Sequence, residues 1–259
     1  MNRDTILALY DQDRKHVEIP DMQREGAAHV VRHISAEGEG LIIYSDLNAG
    51  SADRVISEQV SHFQGRNLTW IVYGHDRPPD LKERLLARGF EAEEPEELLV
   101  LDLEQVPAAV LEPVSHDVRR ISQPSQLGDV IAIHQQVWRD SFEGWRERLA
   151  RRLVEAPESL SLYAAYVDGA AASTAQVSYY VGGMFASLVR AATLPSYRGR
   201  GLFTALVATL VQDALTRGVR FLDTDAGPMS RPILEKLGFM WLSTMQSFTL
   251  SAGAARSTE

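Results

Sequence analysis

Apolar residues recur with two different periods along this chain, and the alternation between them predicts a mixed α/β fold. Spacings of three and four residues indicate amphipathic helices, whereas alternating or continuous apolar runs of about four to eight residues indicate strands. In the first part of the chain, the pattern predicts helices at 6–15, 52–64 and 79–88 and strands at 28–34, 41–46, 68–73 and 97–103. Further along, it predicts strands at 118–121, 162–167, 170–180, 185–194, 221–225 and 241–250 and helices at 127–139, 142–154, 202–217 and 231–237.

A proline-containing segment divides the chain into two halves. Pro107 and Pro113 interrupt both periods between residues 104 and 116, as expected of a domain linker. With 259 residues, the chain is long enough for two small domains. We therefore predict a first domain at 1–106, a linker at 107–116, a second domain at 117–251 and a flexible tail at 252–259.

The two halves share a short pattern that suggests an internal repeat. In each half an apolar strand is followed by a helix that ends in Gly-Phe, at Gly89-Phe90 and at Gly238-Phe239. Both glycines are predicted to end their helices in the left-handed conformation. Both phenylalanines are then predicted to start the next strand inside the core.

The most informative segment lies at the junction between the strand at 185–194 and the helix at 202–217. It reads Arg198-Gly199-Arg200-Gly201. Glycine lets a backbone approach a ligand closely, and the first N–H groups of a helix have no internal partner. Two arginines add positive charge, so the segment predicts a site for a pyrophosphate group. The motifs of P-loop nucleotidases and of dinucleotide-binding folds do not match here.

This segment resembles the acyl-CoA site of the GNAT N-acetyltransferase superfamily, which has the pattern Q/R-x-x-G-x-G/A. Arg198, Gly201 and Phe203 occupy its three defined positions, and Phe203 departs from the usual Gly or Ala. The order of elements from about 118 to 250 is also the family's order, and Leu237-Gly238-Phe239 matches the end of a second signature. The resemblance implies a GNAT acyl-CoA N-acyltransferase fold, with a mixed sheet, in tandem with a degenerate GNAT-like first half that lacks the phosphate loop.

The resemblance also implies where the cosubstrate acetyl-CoA would bind. In the family, the strand before the loop splays from its neighbour and exposes backbone groups to the pantetheine arm and the acyl carbonyl. The matching cofactor-binding residues are Ala191, Ala192, Thr193, Arg198, Gly199, Arg200, Gly201, Leu202, Phe203 and Thr204. Asp225 and Glu143 are the two candidates for the general base. Leu234 and Gly227 stand where many relatives have a proton-donating tyrosine and an asparagine.

Composition excludes several other classes of function. The net charge of -9 argues against a nucleic-acid partner, because phosphate contacts need a basic face. The absence of cysteine excludes disulfides and thiolate chemistry. His29 and His33 have a metal-like spacing but lack a third ligand, so we predict no metal. No apolar run is long enough for a membrane span, and the charged start is unlike a signal peptide; we predict a cytoplasmic protein.

These observations together predict an N-acetyltransferase that moves acetyl from acetyl-CoA directly to a primary amine of an unidentified acceptor. A non-catalytic acyl-CoA-binding or regulatory module is one alternative, because Leu234 and Gly227 lack the family's polar groups. A protein-modifying acetyltransferase is another. Trp138, Phe142 and Trp145 surround the turn that borders the acceptor pocket in the family, where they either line the pocket or pack the corner.

Overall fold

A computed structural model describes residues 1–27, 29–139 and 142–253. Its helices are α1 (Arg3–His16), α2 (Ala52–His62), α3 (Leu81–Ala87), α4 (Leu127–Trp138), α5 (Glu143–Glu155), α6 (Leu202–Thr216) and α7 (Arg231–Lys236). Its strands are β1 (Met22–Ala27), β2 (Val30–Ser35), β3 (Gly40–Ser45), β4 (Leu68–Tyr73), β5 (Glu91–Ala92), β6 (Glu96–Asp102), β7 (Asp117–Arg120), β8 (Leu160–Val167), β9 (Ala170–Tyr179), β10 (Phe185–Thr193), β11 (Phe221–Ala226) and β12 (Met240–Leu250).

The described residues form two compact units, and these do not follow chain order. The first unit contains Met1–Leu98 and the chain from Leu242 onward, and the second contains Leu99–Trp241. The boundaries therefore fall within β6 and within β12, whereas the sequence predicted domains at 1–106 and 117–251. The predicted linker at 107–116 lies inside the second unit, and most of the predicted tail, residues 254–259, lies outside the described residues.

The sheet of the first unit has the strand order β1-β2-β3-β4-β12, with β5 added to β12. Strands β3 and β4 are parallel, but they are paired only from Gly40↔Leu68 to Ile42↔Trp70. Helices α2 and α3 cover this sheet with an apolar core that includes Ile56, Leu85 and Phe90. The last strand of the chain thus completes the sheet of the first unit.

The sheet of the second unit has the strand order β6-β11-β10-β9-β8-β7. One face packs against α6 and α7 in a core that includes Leu101, Leu206 and Leu222. The other face packs against α4 and α5 through Leu160 and its neighbours. Strand β6, from the first half of the sequence, therefore completes this sheet. The prediction of a mixed α/β fold is confirmed. However, β6 belongs mainly to the second unit and β12 mainly to the first, the reverse of their order in the chain.

The two predicted Gly-Phe helix ends are present. Gly89 has φ +84° and Gly238 has φ +96°, which are left-handed values that favour glycine. Phe90 and Phe239 are both buried, each in the core of its own unit. Sequence patterns missed β1 and β5, and the strand predicted at 28–34 is β2, with Ala28 outside the described residues.

Candidate active site

The centre of the site in the second unit is a gap between two parallel strands. Strands β10 and β11 are paired only from Phe185↔Phe221 to Ser187↔Asp223. One residue past the last pair, Thr224 Oγ1 of β11 donates to the carbonyl oxygen of Leu188 of β10 at 2.8 Å. Beyond that point β10 bulges against β9, between the pairs Val189↔Gln176 and Ala192↔Thr174. The predicted residues Ala191, Ala192 and Thr193 therefore lie at the bulge and directly after it, past the last β10–β11 pair.

The loop that follows β10 leaves its backbone donors free. Gly199 has φ +71° and Gly201 has φ +78°, and α6 begins directly after Gly201. Ala205 makes the first bond of the helix, donating to the carbonyl oxygen of Gly201 at 2.9 Å. Within the described chain, the N–H groups of residues 199–204 donate no hydrogen bond. Free N–H groups at a helix N-terminus form a suitable cradle for phosphate oxygens.

Both arginines of the loop are solvent-exposed and lie beside this cradle. Arg198 donates through Nε to the carbonyl oxygen of Thr193 at 3.3 Å, which ties the loop back to β10. His116 donates through Nε2 to the carbonyl oxygen of Arg200 at 3.0 Å. No atom lies within 4 Å of the position that a Cβ would take on Gly199. The space over Gly199 is therefore open to a ligand, whereas His116 Cε1 lies 3.3 Å from the position that a Cβ would take on Gly201.

The corresponding loop of the first unit is built differently. It also follows a short parallel ladder, but Asn48 satisfies its donors: Oδ1 accepts from the N–H groups of Gly50 at 2.9 Å and Ser51 at 3.0 Å. The N–H of Ala52 donates to the carbonyl oxygen of Asn48 at 3.0 Å. A loop that closes on its own side chain offers no such cradle.

The buried side chain of Arg14 lies beside the point where β3 and β4 of the first unit separate. The carbonyl of Ile43, one residue past the last β3–β4 pair, accepts from Arg14 Nη1 at 2.8 Å. The Arg14 side chain is 4% exposed and forms ion pairs with Asp76 at 3.0 Å and Asp11 at 2.6 Å. In the first unit, the Arg14 side chain therefore hydrogen-bonds the carbonyl of Ile43, which lies past the paired part of β3 and β4.

Ser243, His75 and Asp11 form a polar chain in the first unit that has the residue types of a hydrolase triad. Ser243 Oγ lies 2.9 Å from His75 Nδ1, and His75 Nε2 lies 2.8 Å from Asp11 Oδ1. However, Ser243 is buried within β12, and Asp11 is already paired with Arg14. A nucleophile must be accessible to its substrate, so this chain connects α1 to the sheet and does no chemistry.

The candidate carboxylates of the second unit differ in exposure. Asp225, at the end of β11, and Glu143, at the start of α5, are both exposed, and Glu143 Oε1 lies 3.4 Å from Arg146 Nη1. Asp223 is 7% exposed and accepts from Ser187 Oγ at 3.0 Å through both oxygens. Burial, together with the charge of Asp223, raises the pKa of the neighbouring Tyr180 to about 12.

Sequence reasoning did not propose Asp223 as a site residue. The sequence did show that Ser187 and Asp223 each follow two apolar residues at the start of a predicted strand. It did not show that these two strands are parallel neighbours. That pairing is a tertiary fact, so the sequence alone did not reveal the hydrogen-bonded pair. The position of Leu222 in the opposite core agrees with the alternation expected along a strand.

Residues 130–239 match the model of the acetyltransferase (GNAT) family. We refer to the second unit, which contains this match, as the GNAT domain. The whole chain is similar in fold to a GCN5-related N-acetyltransferase from Kribbella flavida, at 15% identity and a TM-score of 0.70, covering 95% of this chain and 94% of that chain. A tandem GNAT protein from the clavulanic acid biosynthesis pathway is similar over 98% of this chain and 88% of that chain, at 17% identity and a TM-score of 0.55. No curated protein matches the chain.

These similarities confirm the resemblance inferred from the phosphate loop, together with the tandem fold. At 15–17% identity, these solved structures show similarity of fold alone. Among the described residues, no group of three His, Cys, Asp or Glu side chains could hold a metal ion. Over the same residues, none of the helices combines the length and apolar character needed to cross a bilayer.

The second signature of the GNAT domain places Leu234 in the core. Its side chain is 1% exposed and belongs to the cluster beneath α6 and α7. Gly227, which contributes no side chain, precedes α7. Neither position provides the hydroxyl or amide group that many relatives have there.

The aromatic residues of α4 and α5 surround a buried histidine. His134 is 0% exposed, and its ring centroid lies 4.8 Å from that of Trp138 and 4.4 Å from that of Trp145. Burial, and then the positive charge of Arg190, lowers the pKa of His134 to about 4. Trp145 packs the corner, whereas Trp138 is 49% exposed and Phe142 is half-buried.

Proposed function

We propose that this protein is an acyl-CoA-dependent N-acyltransferase that moves acetyl from acetyl-CoA directly to a primary amine. The observation that carries the proposal is the set of free N–H groups at residues 199–204, placed where β10 and β11 splay apart. The corresponding loop of the first unit differs, because Asn48 Oδ1 there accepts hydrogen bonds from the loop N–H groups. The GNAT family match adds the class of reaction.

The residues of the GNAT domain fit such a cosubstrate. The N–H groups of residues 199–204, with Arg198 and Arg200 beside them, would hold the pyrophosphate. The edge of β10 at residues 191–193 would hold the pantetheine arm and direct backbone donors at the carbonyl oxygen of the thioester. Donors placed where negative charge develops are usually a large catalytic contribution. The thioester supplies an activated acyl group when it is bound.

Transfer then needs a neutral amine and a path for its proton. The amine nitrogen attacks the carbonyl carbon, the C–N bond forms, the C–S bond breaks, and the sulfur leaves as a thiolate. Asp225, exposed at the end of β11, is our first candidate to accept the ammonium proton, and Glu143 is the second. A carboxylate acting through a water molecule would suffice for either role.

A second candidate function is a non-catalytic acyl-CoA-binding module. The buried Leu234 and the bare Gly227 favour it, because they remove two polar groups without disturbing the phosphate loop. Such a module would bind acetyl-CoA through the same residues and release no thiol. Turnover with an amine therefore separates the two functions.

The test combines acetyl-CoA binding with thiol release on a panel of amines. Gly199→Ala and Gly218→Ala form a matched pair, because both glycines have φ +71° and no atom within 4 Å of the position that a Cβ would take. Both substitutions carry the same backbone strain, but Gly218 follows the far end of α6. We expect Gly199→Ala to weaken acetyl-CoA binding at least tenfold and Gly218→Ala to leave it unchanged.

Three results would contradict the proposal. Equal acetyl-CoA affinity in a folded Gly199→Ala variant would show that the loop is not the phosphate cradle. Tight binding with no thiol released on any amine would leave the cradle intact and favour the non-catalytic module. A melting temperature that does not rise with millimolar acetyl-CoA would refute both functions, since a ligand specific for the native state must stabilise it.

A further inference from the structure

Arg190 lies in an unusual backbone conformation at the edge of the proposed site. It is at the bulge of β10 and has φ +54°, a left-handed value that residues other than glycine seldom adopt. Such conformations persist only where the surrounding structure holds them, and they concentrate at functional sites. The three residues that follow, 191–193, form the edge assigned above to the acyl carbonyl.

The side chain of Arg190 lies on the α4 and α5 side of the sheet. Its guanidinium carbon is 5.5 Å from the ring centroid of Trp145 on α5, and its charge acts on His134 of α4. Helix α6, which begins at the phosphate loop, packs on the opposite face. Arg190 is therefore on the side from which an acceptor would reach a carbonyl held at residues 191–193.

No carboxylate balances this charge within the described part of the chain. Although the Arg190 side chain keeps an exposed surface, partial desolvation and then the like charge of Arg148 on α5 lower its pKa. Other arginines of the same unit are paired: Arg146 with Glu143, and Arg217 with Asp213. Arg190 and Arg148 are both solvent-exposed, so an anionic ligand can reach two guanidinium groups for which no carboxylate partner is described, and guanidinium groups bind carboxylates well.

We propose that Arg190, assisted by Arg148, binds an anionic group of the acceptor, so that the substrate class is primary amines that also carry a carboxylate. This inference rests on the proposed function, because it names the acceptor of the same site. The guanidinium fork suits a carboxylate through two parallel N–H donors.

The first test measures binding and needs no turnover. The protein saturated with CoA is titrated with N-acetylglycine and with N-acetylglycinamide, and tryptophan fluorescence is followed. These two probes differ by the carboxylate alone. We expect the wild type to bind the acid at least tenfold more tightly than the amide. Arg190→Met should reduce this preference to twofold or less, and Arg148→Met should reduce it in part.

The matched control is Arg146→Met, which removes an exposed arginine of the same helix that already has a carboxylate partner. It should leave the preference for the acid unchanged. Acetyl-CoA affinity should be unchanged in all three variants. If Arg190→Met weakens acetyl-CoA binding instead, the guanidinium serves the cosubstrate and the proposal is wrong. Equal binding of acid and amide by the wild type also overturns it.

The second test is thiol release with glycine, glycinamide, phosphoethanolamine and ethanolamine. Faster release with glycine than with glycinamide supports the carboxylate class, and loss of that advantage in Arg190→Met supports the residue. Faster release with phosphoethanolamine alone overturns the carboxylate in favour of a phosphate. Absence of release from all amines, combined with an intact preference for N-acetylglycine, refutes the transferase but retains the anion site.

Discussion

Removal of residues 1–116 should unfold the GNAT domain, although the chain that remains contains every element from β7 to β12. The reason is that β6 is the strand beside β11 in the sheet of the second unit. Leu103 also donates its N–H to the carbonyl oxygen of Arg220 at 3.0 Å, and Arg220 pairs with the buried Asp102 at 2.9 Å. All of these contacts would be lost.

The magnitude follows from the side chains that β6 and the next turns bury in the second unit. Leu99, Leu101, Leu103 and Val110 are all buried in its main core. Burying one such side chain stabilises a fold by about 1.5–3 kcal/mol, so the four together contribute about 6–12 kcal/mol. Domains are stable by about 5–15 kcal/mol in total, so this loss is comparable to the whole.

Two fragments provide the comparison. Residues 117–251 correspond to the domain predicted from sequence, and residues 99–241 correspond to the compact unit. We expect the fragment 99–241 to melt cooperatively and to be stabilised by acetyl-CoA, and the fragment 117–251 to show neither behaviour in circular dichroism and thermal melts. A folded fragment 117–251 with a normal acetyl-CoA shift would refute the assignment of β6 to this unit.

Arg14→Met should lower the free energy of unfolding by about 3–5 kcal/mol in urea titrations, because it leaves the carboxylate of Asp76, 4% exposed, without its buried partner. The exposed control Arg54→Met should change it by less than about 1 kcal/mol, and equal effects would contradict the argument. Stability should also fall as pH drops from about 6.5 to about 4, since unfolded chains protonate His134 in that range while the native pKa is about 4. The loss from this group is about 3 kcal/mol; His134→Phe should remove that part of the pH dependence, and an unchanged profile would count against the buried neutral ring.

Local chemistry explains why much of the fold was predictable. Left-handed glycines end helices because they carry no Cβ, so Gly89 and Gly238 revealed two helix ends without any tertiary information. The shape of the loop at residues 198–201 was predictable for the same reason, since Gly199 and Gly201 both have positive φ. In contrast, β1 carries the polar sequence MQREGA, which has no apolar alternation to signal a strand.

The exchange of terminal strands was not predictable from such patterns. Leu98, Leu99, Val100 and Leu101 form a continuous apolar run in β6, and all four are buried. A strand that is apolar on both faces fits the interior of either sheet, so its sequence does not indicate which strand it pairs with. Chain order favoured β6 for the first half and β12 for the second, and the compact units show the opposite assignment.

The residues of the site that the sequence missed depend on the bulge and on the pairing of strands. Arg190 adopts a left-handed conformation that its residue type gives no reason to expect. Asp223 meets Ser187 only because β10 and β11 become neighbours. Motifs reveal sites made by consecutive residues, whereas the proposed acceptor side combines residues of β10, β11, α4 and α5.

The two loops show how a repeated fold can keep a site in one copy and lose it in the other. Both units pair two parallel strands over three residues before the strands part, so the frame for a ligand is present twice. In the first unit, Asn48 accepts from the loop donors and Arg14 donates to the carbonyl of Ile43. Satisfied backbone groups give a ligand nothing to replace, whereas unsatisfied ones in an exposed loop bind an anion at little cost. In the first unit, Asn48 and Arg14 thus satisfy the backbone groups that a ligand would need. In the GNAT domain, the N–H groups of residues 199–204 remain free to bind one.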